Sequence, residues 1–252
     1  MLKYRIIPIL LLKNGRMVKT IRFGSYRDVG DPIKTAKIYD AQRADELIFL
    51  DIEASREKRG TLIDVVREVS KECFMPFGVG GGIRDLEDIR LLLRGGADKV
   101  VINTIAVEDP DFITKAAEKF GSSTIVVSID VRKNKDGRYE VFTNGAGKAT
   151  GLDPVDWAKI AVERGAGEII ITDADRDGTM EGLNIPLIRS VADSVNVPVI
   201  AVGGVANLQD FQNAFTEGGA QAVGAGSIFH FTDQSIIKTR RYLFNEGINV
   251  RR

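Results

Sequence analysis

Short aliphatic runs alternate eight times with longer amphipathic segments along this chain. Aliphatic runs without polar alternation are typical of strands buried on both faces. Strands are predicted at 5–11, 46–51, 76–80, 98–103, 124–130, 167–172, 197–202 and 220–225. Helices are predicted between them, at 31–44, 61–73, 85–95, 109–119, 153–165, 184–195, 207–217 and 233–246. Several helices begin at a capping residue, namely Asp85, Asp109, Asp153 and Asn207.

Eight strand–helix units in 252 residues have the size and rhythm of a (β/α)₈ TIM barrel. A doubly wound open sheet is the alternative that the same pattern allows. Apolar residues make up 44% of the chain, which is enough for a large core. Because no Pro/Ser-rich linker or charge run divides the sequence, a single domain is predicted over residues 1–252.

The sequence also repeats itself at an offset of half its length. "ELIFLD" at 46–51 matches "EIIITD" at 168–173, and the segment 75–104 matches 197–227. Both longer segments contain a Gly-Gly pair, an amphipathic helix, "GGA" and a strand that ends in small residues. This order indicates a barrel made of two half-barrel repeats.

Charge and cysteine content exclude several classes of function. Lys plus Arg and Asp plus Glu number 35 each, so neither a nucleic-acid footprint nor a basic membrane-binding face is predicted. No segment reaches the roughly 18 apolar residues that span a bilayer. The single cysteine, Cys73, is compatible with a reducing compartment, and a cytoplasmic location is predicted. Neither a metal site nor a cofactor is predicted, and the lone His230 is interpreted as a packing or loop-anchoring residue.

Two glycine-rich turns have the pattern of phosphate-binding loops. "VGGGIRD" at 79–85 and "AVGGVANLQ" at 201–209 each connect a strand to a helix, where backbone N–H groups can surround an anion. One unit later, Asn103-Thr104 and Gly226-Ser227 follow strand ends. Tight turns without a ligand are the alternative for either loop alone. The doubling favours a substrate with a phosphate at each end, bound at the C-terminal face of the barrel.

Several motifs resemble the histidine-biosynthesis barrels, most closely the cyclase subunit of imidazole glycerol phosphate synthase (HisF). They are "LDIEAS" (50–55), "VGGGIR" (79–84), "GADKVVINT" (96–104), "DRDGT" (175–179) and "FHF" (229–231). The resemblance implies a HisH-like glutaminase partner, whose ammonia passes through the barrel to a phosphorylated substrate. It also implies phosphate contacts at two sites. The first site comprises Gly82, Asn103 and Thr104. The second comprises Asp177, Gly178, Gly204, Gly226 and Ser227.

The resemblance implies acid–base catalysis by two aspartates, at the ends of strands 1 and 5, but only one is present. Aligning "RIIPILLL" with "TIVVSIDV" places Asp130 on strand 5 and Leu11 at the matching position of strand 1. Leucine cannot transfer a proton, so we expect the ordinary cyclase reaction to be strongly impaired. Alternatively another carboxylate at a strand end, Asp51 or Asp173, replaces the missing one. Lys19 in the first loop (12–30) is the second expected catalytic residue, by resemblance.

Two further changes agree with an altered site. Ile9 stands where the family has cysteine, and Val202 stands where it often has serine. The fifth loop (131–152) contains a predicted hairpin, "GRYEVFTNGAG", which is a candidate second lid.

Four charged residues at strand starts match the ring that gates ammonia entry in HisF. They are Arg5, Glu46, Lys99 and Glu168. Such charges converging on a barrel axis must form a closed network or line a wet opening. Asp98 matches a HisF residue at the glutaminase interface. Ordinary surface salt bridges are the alternative interpretation.

An ammonia inlet together with an incomplete catalytic pair resembles a second group of HisF-like proteins, from bacterial surface-polysaccharide pathways. The resemblance lies in "IPILLLKNG" (7–15) and "VGDP" (29–32). In those pathways the barrel works with a glutaminase and a separate sugar amidotransferase to form an acetamidino group. Three alternatives stay open: a true cyclase, a scaffold that only activates the glutaminase, and a single-chain isomerase of the HisA type.

Overall fold

Eight parallel strands close into a barrel in the computed structural model, which describes residues 3–57 and 63–251. The strands are β1 (Arg5–Lys13), β2 (Arg16–Thr20), β3 (Tyr26–Gly30), β4 (Leu47–Asp51), β5 (Phe77–Gly80), β6 (Lys99–Ile102), β7 (Ile125–Lys133), β8 (Tyr139–Thr143), β9 (Lys148–Ala149), β10 (Glu168–Asp173), β11 (Val199–Val202) and β12 (Ala222–Ala225). The barrel order is β1-β4-β5-β6-β7-β10-β11-β12. Parallel pairing of β12 with β1, in which Arg5 lies beside Ala222, closes it. The predicted (β/α)₈ barrel is therefore confirmed, and the open sheet is excluded.

The helices surround the barrel, and all eight predicted long helices are present among the described residues. They are α1 (Pro32–Ala41), α2 (Ala54–Glu57), α3 (Ile63–Glu72), α4 (Leu86–Arg94), α5 (Thr104–Glu108), α6 (Asp111–Phe120), α7 (Pro154–Glu163), α8 (Ile185–Ala192), α9 (Leu208–Thr216), α10 (Ser227–Phe231) and α11 (Ile236–Asn245). The sequence pattern missed α2, α5 and α10. Of the predicted segment 61–73, residues 61 and 62 lie outside the described residues. None of the helices described is long and apolar enough to cross a membrane.

Capping side chains fix where several helices begin. Asp85 accepts hydrogen bonds from the N–H groups of Glu87 and Asp88, and Asp153 accepts from those of Val155 and Asp156. The predicted cap at Asp109 is wrong as to position, because α6 begins at Asp111 and Pro110 precedes it without a side-chain cap. These caps hold the loops after the strands at fixed lengths.

Two strands extend beyond the barrel rim and turn into hairpins. The predicted loop 12–30 contains β2 and β3, and β2 pairs antiparallel with β1. Asn14 and Gly15 have φ values of 50° and 74°, which is the left-handed turn that joins twisted hairpin strands. In the second half, β8 pairs with β7 and β9 with β8, as the prediction for 131–152 anticipated.

The apolar core has two layers because each strand buries both faces. One layer lies between the strands and the helices and contains Phe49, Phe77 and Phe211. The other fills the barrel interior with aliphatic side chains, namely Ile7, Ile9, Ile48, Val101, Val126, Ile170, Ile200 and Ala222. The barrel interior is thus filled by side chains, and Ile9, Val101 and Ile170 of this layer also line a pocket at the C-terminal ends of the strands.

The two halves share backbone details that only glycine allows. At the ends of β5 and β11, Gly81 and Gly203 have φ values of 97° and 100°. A Cβ atom on either would lie 2.2 Å from the carbonyl oxygen of Asp51 or 2.6 Å from that of Asp173. Because Asp51 and Asp173 occupy matching positions of the repeat, the half-barrel doubling predicted from sequence is visible as equivalent close contacts.

Candidate functional site

A pocket of about 400 Å³ opens at the C-terminal ends of the barrel strands. Its lining includes all ten residues that the sequence assigned to catalysis or phosphate binding. They are Lys19, Gly82, Asn103, Thr104, Asp130, Asp177, Gly178, Gly204, Gly226 and Ser227. The structure therefore brings the predicted residues into one site, although they come from seven of the eight strand–helix units.

The two glycine-rich turns predicted to bind phosphate lie on opposite sides of this pocket, and we call them the cradles. Gly82 has a φ of 74° and follows β5, while Thr104 begins α5 after β6. Gly204 has a φ of 104° and follows β11, while Ser227 begins α10 after β12. The first N–H groups of a helix have no intrahelical partner and can receive an anion. Each cradle thus combines a glycine turn with a helix start.

Two polar side-chain atoms beside the cradles lack a partner among the described residues. The Oγ atom of Ser227 is buried at the second cradle. The Oδ1 atom of Asn103 is buried at the first. Buried polar atoms usually find a hydrogen-bond partner. Both atoms are accordingly positioned to serve a bound ligand.

Asp130 is the ionisable group of the pocket wall that also contains Asn103 and Ser128. Its Oδ2 accepts a 2.8 Å hydrogen bond from Asn103 Nδ2, and its Oδ1 lies 3.3 Å from Ser128 Oγ. Burial raises the pKa of Asp130 to about 7, and the Asp177 carboxylate acts in the same direction against these hydrogen bonds. A carboxyl group with this pKa can accept or donate a proton at neutral pH.

An aliphatic patch surrounds the position that the repeat matches to Asp130. Leu11 and Leu50 lie side by side on β1 and β4, and Ile9 and Val202 continue the same surface. Asp130 thus faces hydrocarbon at the position where a second carboxylate is expected. Leu11 itself offers a substrate no proton-transfer group, and the ionisable residues that line this side of the pocket are Lys13, Asp51 and Glu53.

Lys19 is buried in the pocket and bound to Asp177. Its Nζ atom lies 2.7 Å from Asp177 Oδ2 and donates a 3.1 Å hydrogen bond to the carbonyl oxygen of Thr20. Only 5% of the Lys19 surface is exposed. The N–H of Asp177 donates to the Asp173 carbonyl oxygen, while its carboxylate contacts Lys19. Lys19 therefore presents a fixed positive charge beside the second cradle.

The two carboxylates considered as replacements already accept hydrogen bonds from nearby backbone and side-chain groups. Asp51 lines the pocket, but its Oδ1 accepts from the N–H groups of Glu53 and Ala54 at the start of α2. Asp173 accepts from Asn184 Nδ2 at 2.7 Å and from the Asp175 N–H. Asp173 is not part of the pocket lining. Neither arrangement resembles the central position of Asp130.

Sequence reasoning missed three residues at the pocket rim: Lys13, Glu53 and Tyr26. Lys13 forms an ion pair with Glu53, and its Nζ lies 4.1 Å from the centre of the Tyr26 ring. Lys13 stands two residues after Leu11, and alternation along a strand places both on the same face. That spacing is the signal that could have identified it.

His230 anchors the second cradle, in agreement with its interpretation as a packing residue. Its Nδ1 lies 3.1 Å from the hydroxyl of Tyr39 in α1. Burial lowers the pKa of His230 to about 4, and the charge of Lys19 acts in the same direction. The imidazole is therefore neutral at physiological pH. Within residues 3–57 and 63–251, no cluster of His, Cys, Asp or Glu is arranged to hold a metal ion.

At the other end of the barrel, the four predicted floor charges form a closed ring. Arg5 contacts Glu46 at 2.7 Å and Glu168 at 3.1 Å, and Lys99 contacts the same two carboxylates at 2.9 Å and 3.1 Å. Each acid therefore has two cationic partners. The Oε1 atom of Glu46 is buried without a partner among the described residues. Of the two arrangements left open by the sequence, the closed network is the one observed.

Asp98 has a structural contact that the sequence did not suggest. It is exposed at the barrel floor, and its Oδ2 accepts a 2.9 Å hydrogen bond from the N–H of Phe77. Gln221 does the same for the N–H of Val199 at the matching position of the second half. Asp98 thus stabilises the start of β5, and this role is separate from any contact with a partner at the surface.

A comparison with protein-family models matches residues 5–235 to the family described as histidine biosynthesis protein. The match spans nearly the whole barrel, including both cradles, the floor ring and Asp130. The chain belongs to this family, whose members are enzymes.

The raised pKa of Asp130 predicts a pH-dependent stability difference. Between about pH 4 and pH 7 the unfolded state ionises Asp130 while the folded state keeps it protonated, so stability falls with rising pH. Three pKa units correspond to about 4 kcal/mol as an upper value. Urea unfolding should show Asp130→Asn gaining stability relative to the unsubstituted protein between pH 4 and pH 8. Asp64→Asn, at an exposed helix position, is the control; equal behaviour of both variants would contradict the raised pKa.

The closed ring predicts a large cost for removing one cation. Lys99→Met leaves two buried carboxylates sharing Arg5, and we expect a loss of about 3 kcal/mol in unfolding free energy. Lys71→Met removes a cation from an exposed pair with Glu68 and should cost under about 0.5 kcal/mol. Chemical denaturation of both variants measures the difference. Similar small losses would mean that the ring contributes no stability.

Proposed function

We propose that this member of the histidine biosynthesis family is an ammonia-receiving synthase subunit of a glutamine amidotransferase. A HisH-like glutaminase would dock on the barrel floor and release ammonia at the end of the barrel that carries the charged ring. The barrel would lead that ammonia to the pocket for acetamidino-sugar formation, together with a separate sugar amidotransferase. The observation that carries the proposal is the combination of a charged floor ring with a pocket that holds one central acid–base group.

The floor and interior suit neutral ammonia. Above the ring the barrel axis is lined by aliphatic side chains such as Ile7, Ile48 and Val126, all nearly inaccessible to solvent. An apolar interior disfavours ammonium, because an unpaired charge is costly there, whereas NH₃ carries none. The closed ring keeps water out until a partner alters it. This arrangement supports delivery of ammonia rather than ammonium to the pocket.

The pocket supports a phosphorylated substrate and a reaction other than ordinary cyclisation. The two glycine turns on opposite sides of the pocket support a substrate that carries a phosphate group at each end. Asp130 can move one proton, and Lys19 offers a positive charge beside the second cradle. Leu11, at the matching position of strand 1, supplies no second acid or base. The site therefore favours the paralogue over the cyclase.

Genuine imidazole glycerol phosphate synthase activity is the second candidate. It is favoured by the gathering of all ten expected residues into one pocket. The protein could also be a catalytically inactive scaffold that activates the glutaminase. That function accounts for the charged floor ring but gives the pocket no role. A HisA-type isomerase explains the cradles but needs neither a floor ring nor a partner.

Loss of the strand-1 carboxylate predicts weak cyclisation that a single substitution improves. With ammonium salt and the bisphosphate ribonucleotide substrate of cyclases, the purified protein should turn over about 10²–10⁴-fold more slowly than a competent cyclase. Leu11→Asp should raise the rate, because it supplies the missing proton-transfer group. Leu11→Asn has nearly the same shape but cannot ionise, and it should not. Fast turnover by the unsubstituted protein would overturn the paralogue assignment in favour of the cyclase.

If a glutaminase docks on the barrel floor, removing the charge of Asp98 should weaken its binding without changing the stability of the barrel. Asp98→Asn retains an oxygen acceptor for the Phe77 N–H, so unfolding free energy should change by less than about 0.5 kcal/mol. Removing the charge should weaken binding of a HisH-type glutaminase and reduce its stimulation, measured as glutamate release from glutamine.

Asp136→Asn, on the hairpin at the opposite end of the barrel, is the matched control and should change neither quantity. If the unsubstituted protein neither binds nor stimulates such a glutaminase, the proposed ammonia delivery is wrong.

A further inference from the structure

Two ion pairs at the barrel rim occupy matching positions of the two half-barrels. The strand repeat that aligns Leu11 with Asp130 also aligns Lys13 with Arg132. The repeat that aligns Asp51 with Asp173 likewise aligns Glu53 with Asp175. Lys13 pairs with Glu53, and Arg132 Nη1 lies 2.6 Å from Asp175 Oδ1. The first pair belongs to strands 1 and 2 of the barrel, and the second to strands 5 and 6.

The backbone beneath the two pairs is equivalent as well. In the first half, the N–H of Ile52 donates to the Leu12 carbonyl oxygen at 3.1 Å. In the second half, the N–H of Ala174 donates to the Val131 carbonyl oxygen at 2.9 Å. The acidic residue of each pair also donates its N–H to the aspartate two residues earlier, at 3.2 Å for Glu53 and 3.1 Å for Asp175. The ion pairs are thus held by the same local fold.

Both pairs contact the same segment, the rim hairpin made of residues 16–30. Arg132 Nη2 donates a 2.8 Å hydrogen bond to the carbonyl oxygen of Arg22 at the hairpin tip. Arg22 Nε in turn donates to the carbonyl oxygen of Asp175 at 3.0 Å. On the other side, the ring of Tyr26 in β3 lies over the Lys13 ammonium. The rim hairpin is therefore attached at two points on different sides of the pocket.

The rim hairpin carries Lys19 into the pocket. Close to Lys19, the N–H of Arg22 donates to the Asp177 carbonyl oxygen at 2.7 Å. A Cβ atom on Gly178 would lie 2.1 Å from the Thr20 carbonyl oxygen, so the hairpin packs tightly on the loop that contains Asp177. A shift of the hairpin tip away from Asp175 would pull Lys19 from the Asp177 carboxylate.

We propose that the pairs Arg132–Asp175 and Lys13–Glu53 form a two-point clamp that seats the rim hairpin over the pocket and positions Lys19. The four residues are positioning residues that act through the hairpin. The inference goes beyond the proposed function, because it holds for any reaction in which Lys19 takes part. Arg132 is the stronger point, since its planar guanidinium donates to two acceptors at once, whereas Lys13 contacts Tyr26 through a less directional interaction.

The clamp is tested by the reactivity of Lys19 toward acetic anhydride, measured by mass spectrometry on the full-length protein. Arg132→Gln should raise the Lys19 acetylation rate by about tenfold, because a charge-assisted contact that held the closed hairpin is lost. Hydrogen exchange of the 20–25 segment should rise in parallel. Lys99, at the opposite end of the barrel, reports any general loosening and should react at an unchanged rate.

Conservative and control variants separate positioning from ordinary structural support. Asp175→Asn should behave like Arg132→Gln, while Asp175→Glu, which restores the charge, should return Lys19 toward its original rate. Arg138→Gln removes an exposed arginine on the neighbouring hairpin and should have no effect. If Arg132→Gln does not fold, Tyr26→Leu tests the second point, with a smaller rise expected. An unchanged Lys19 rate in folded variants, or equal increases at Lys19 and Lys99, would overturn the proposal.

Discussion

The need to pair every charge that enters the barrel governs this structure. Strands that are buried on both faces leave no route to solvent for an inward side chain, so an ionised group there must find a counter-charge or change its protonation state. At the floor, Arg5, Lys99 and two glutamates satisfy one another. At the pocket, Lys19 pairs with Asp177, while Asp130 has no cation partner among the described residues and its pKa rises toward neutrality. The same rule thus accounts for a fully paired floor ring and for a pocket carboxyl group with a raised pKa.

The half-barrel repeat separates what the scaffold requires from what the chemistry requires. Features tied to geometry occur twice, such as the glycine turns at Gly81 and Gly203 and the strand supports at Asp98 and Gln221. The two side chains proposed for catalysis break the repeat. Asp130 has leucine as its counterpart, and the rim hairpin brings Lys19 into the pocket. These departures from symmetry are where the proposed chemistry is concentrated.

Much of the fold was accessible from sequence because its signals are local. Continuous aliphatic runs fixed the strands, and paired glycines located the cradles. The helices α2, α5 and α10 were missed because four or five residues cannot display a helical period. The roles of Asp51 and Asp173 depended on competition between backbone N–H groups and the pocket, which the residue type does not decide. The ion pair of Lys13 with Glu53 joins residues 40 positions apart, so no local pattern announces it.

Cations and acids alternate around the floor ring, and this order determines what must change for the ring to open. Each glutamate contacts both cations, and each cation contacts both glutamates. If a partner draws Lys99 aside, Arg5 still contacts Glu46 and Glu168, but its single charge balances only one of the two carboxylates. The remaining negative charge is costly in a buried ring, so opening requires a partner that compensates it. Lys99 is the more suitable moving part, because its flexible stem ends in a single charged atom, whereas Arg5 carries a planar guanidinium. A closed ring is thus compatible with passage of a small neutral molecule, provided that the partner offers the displaced ammonium a new acceptor.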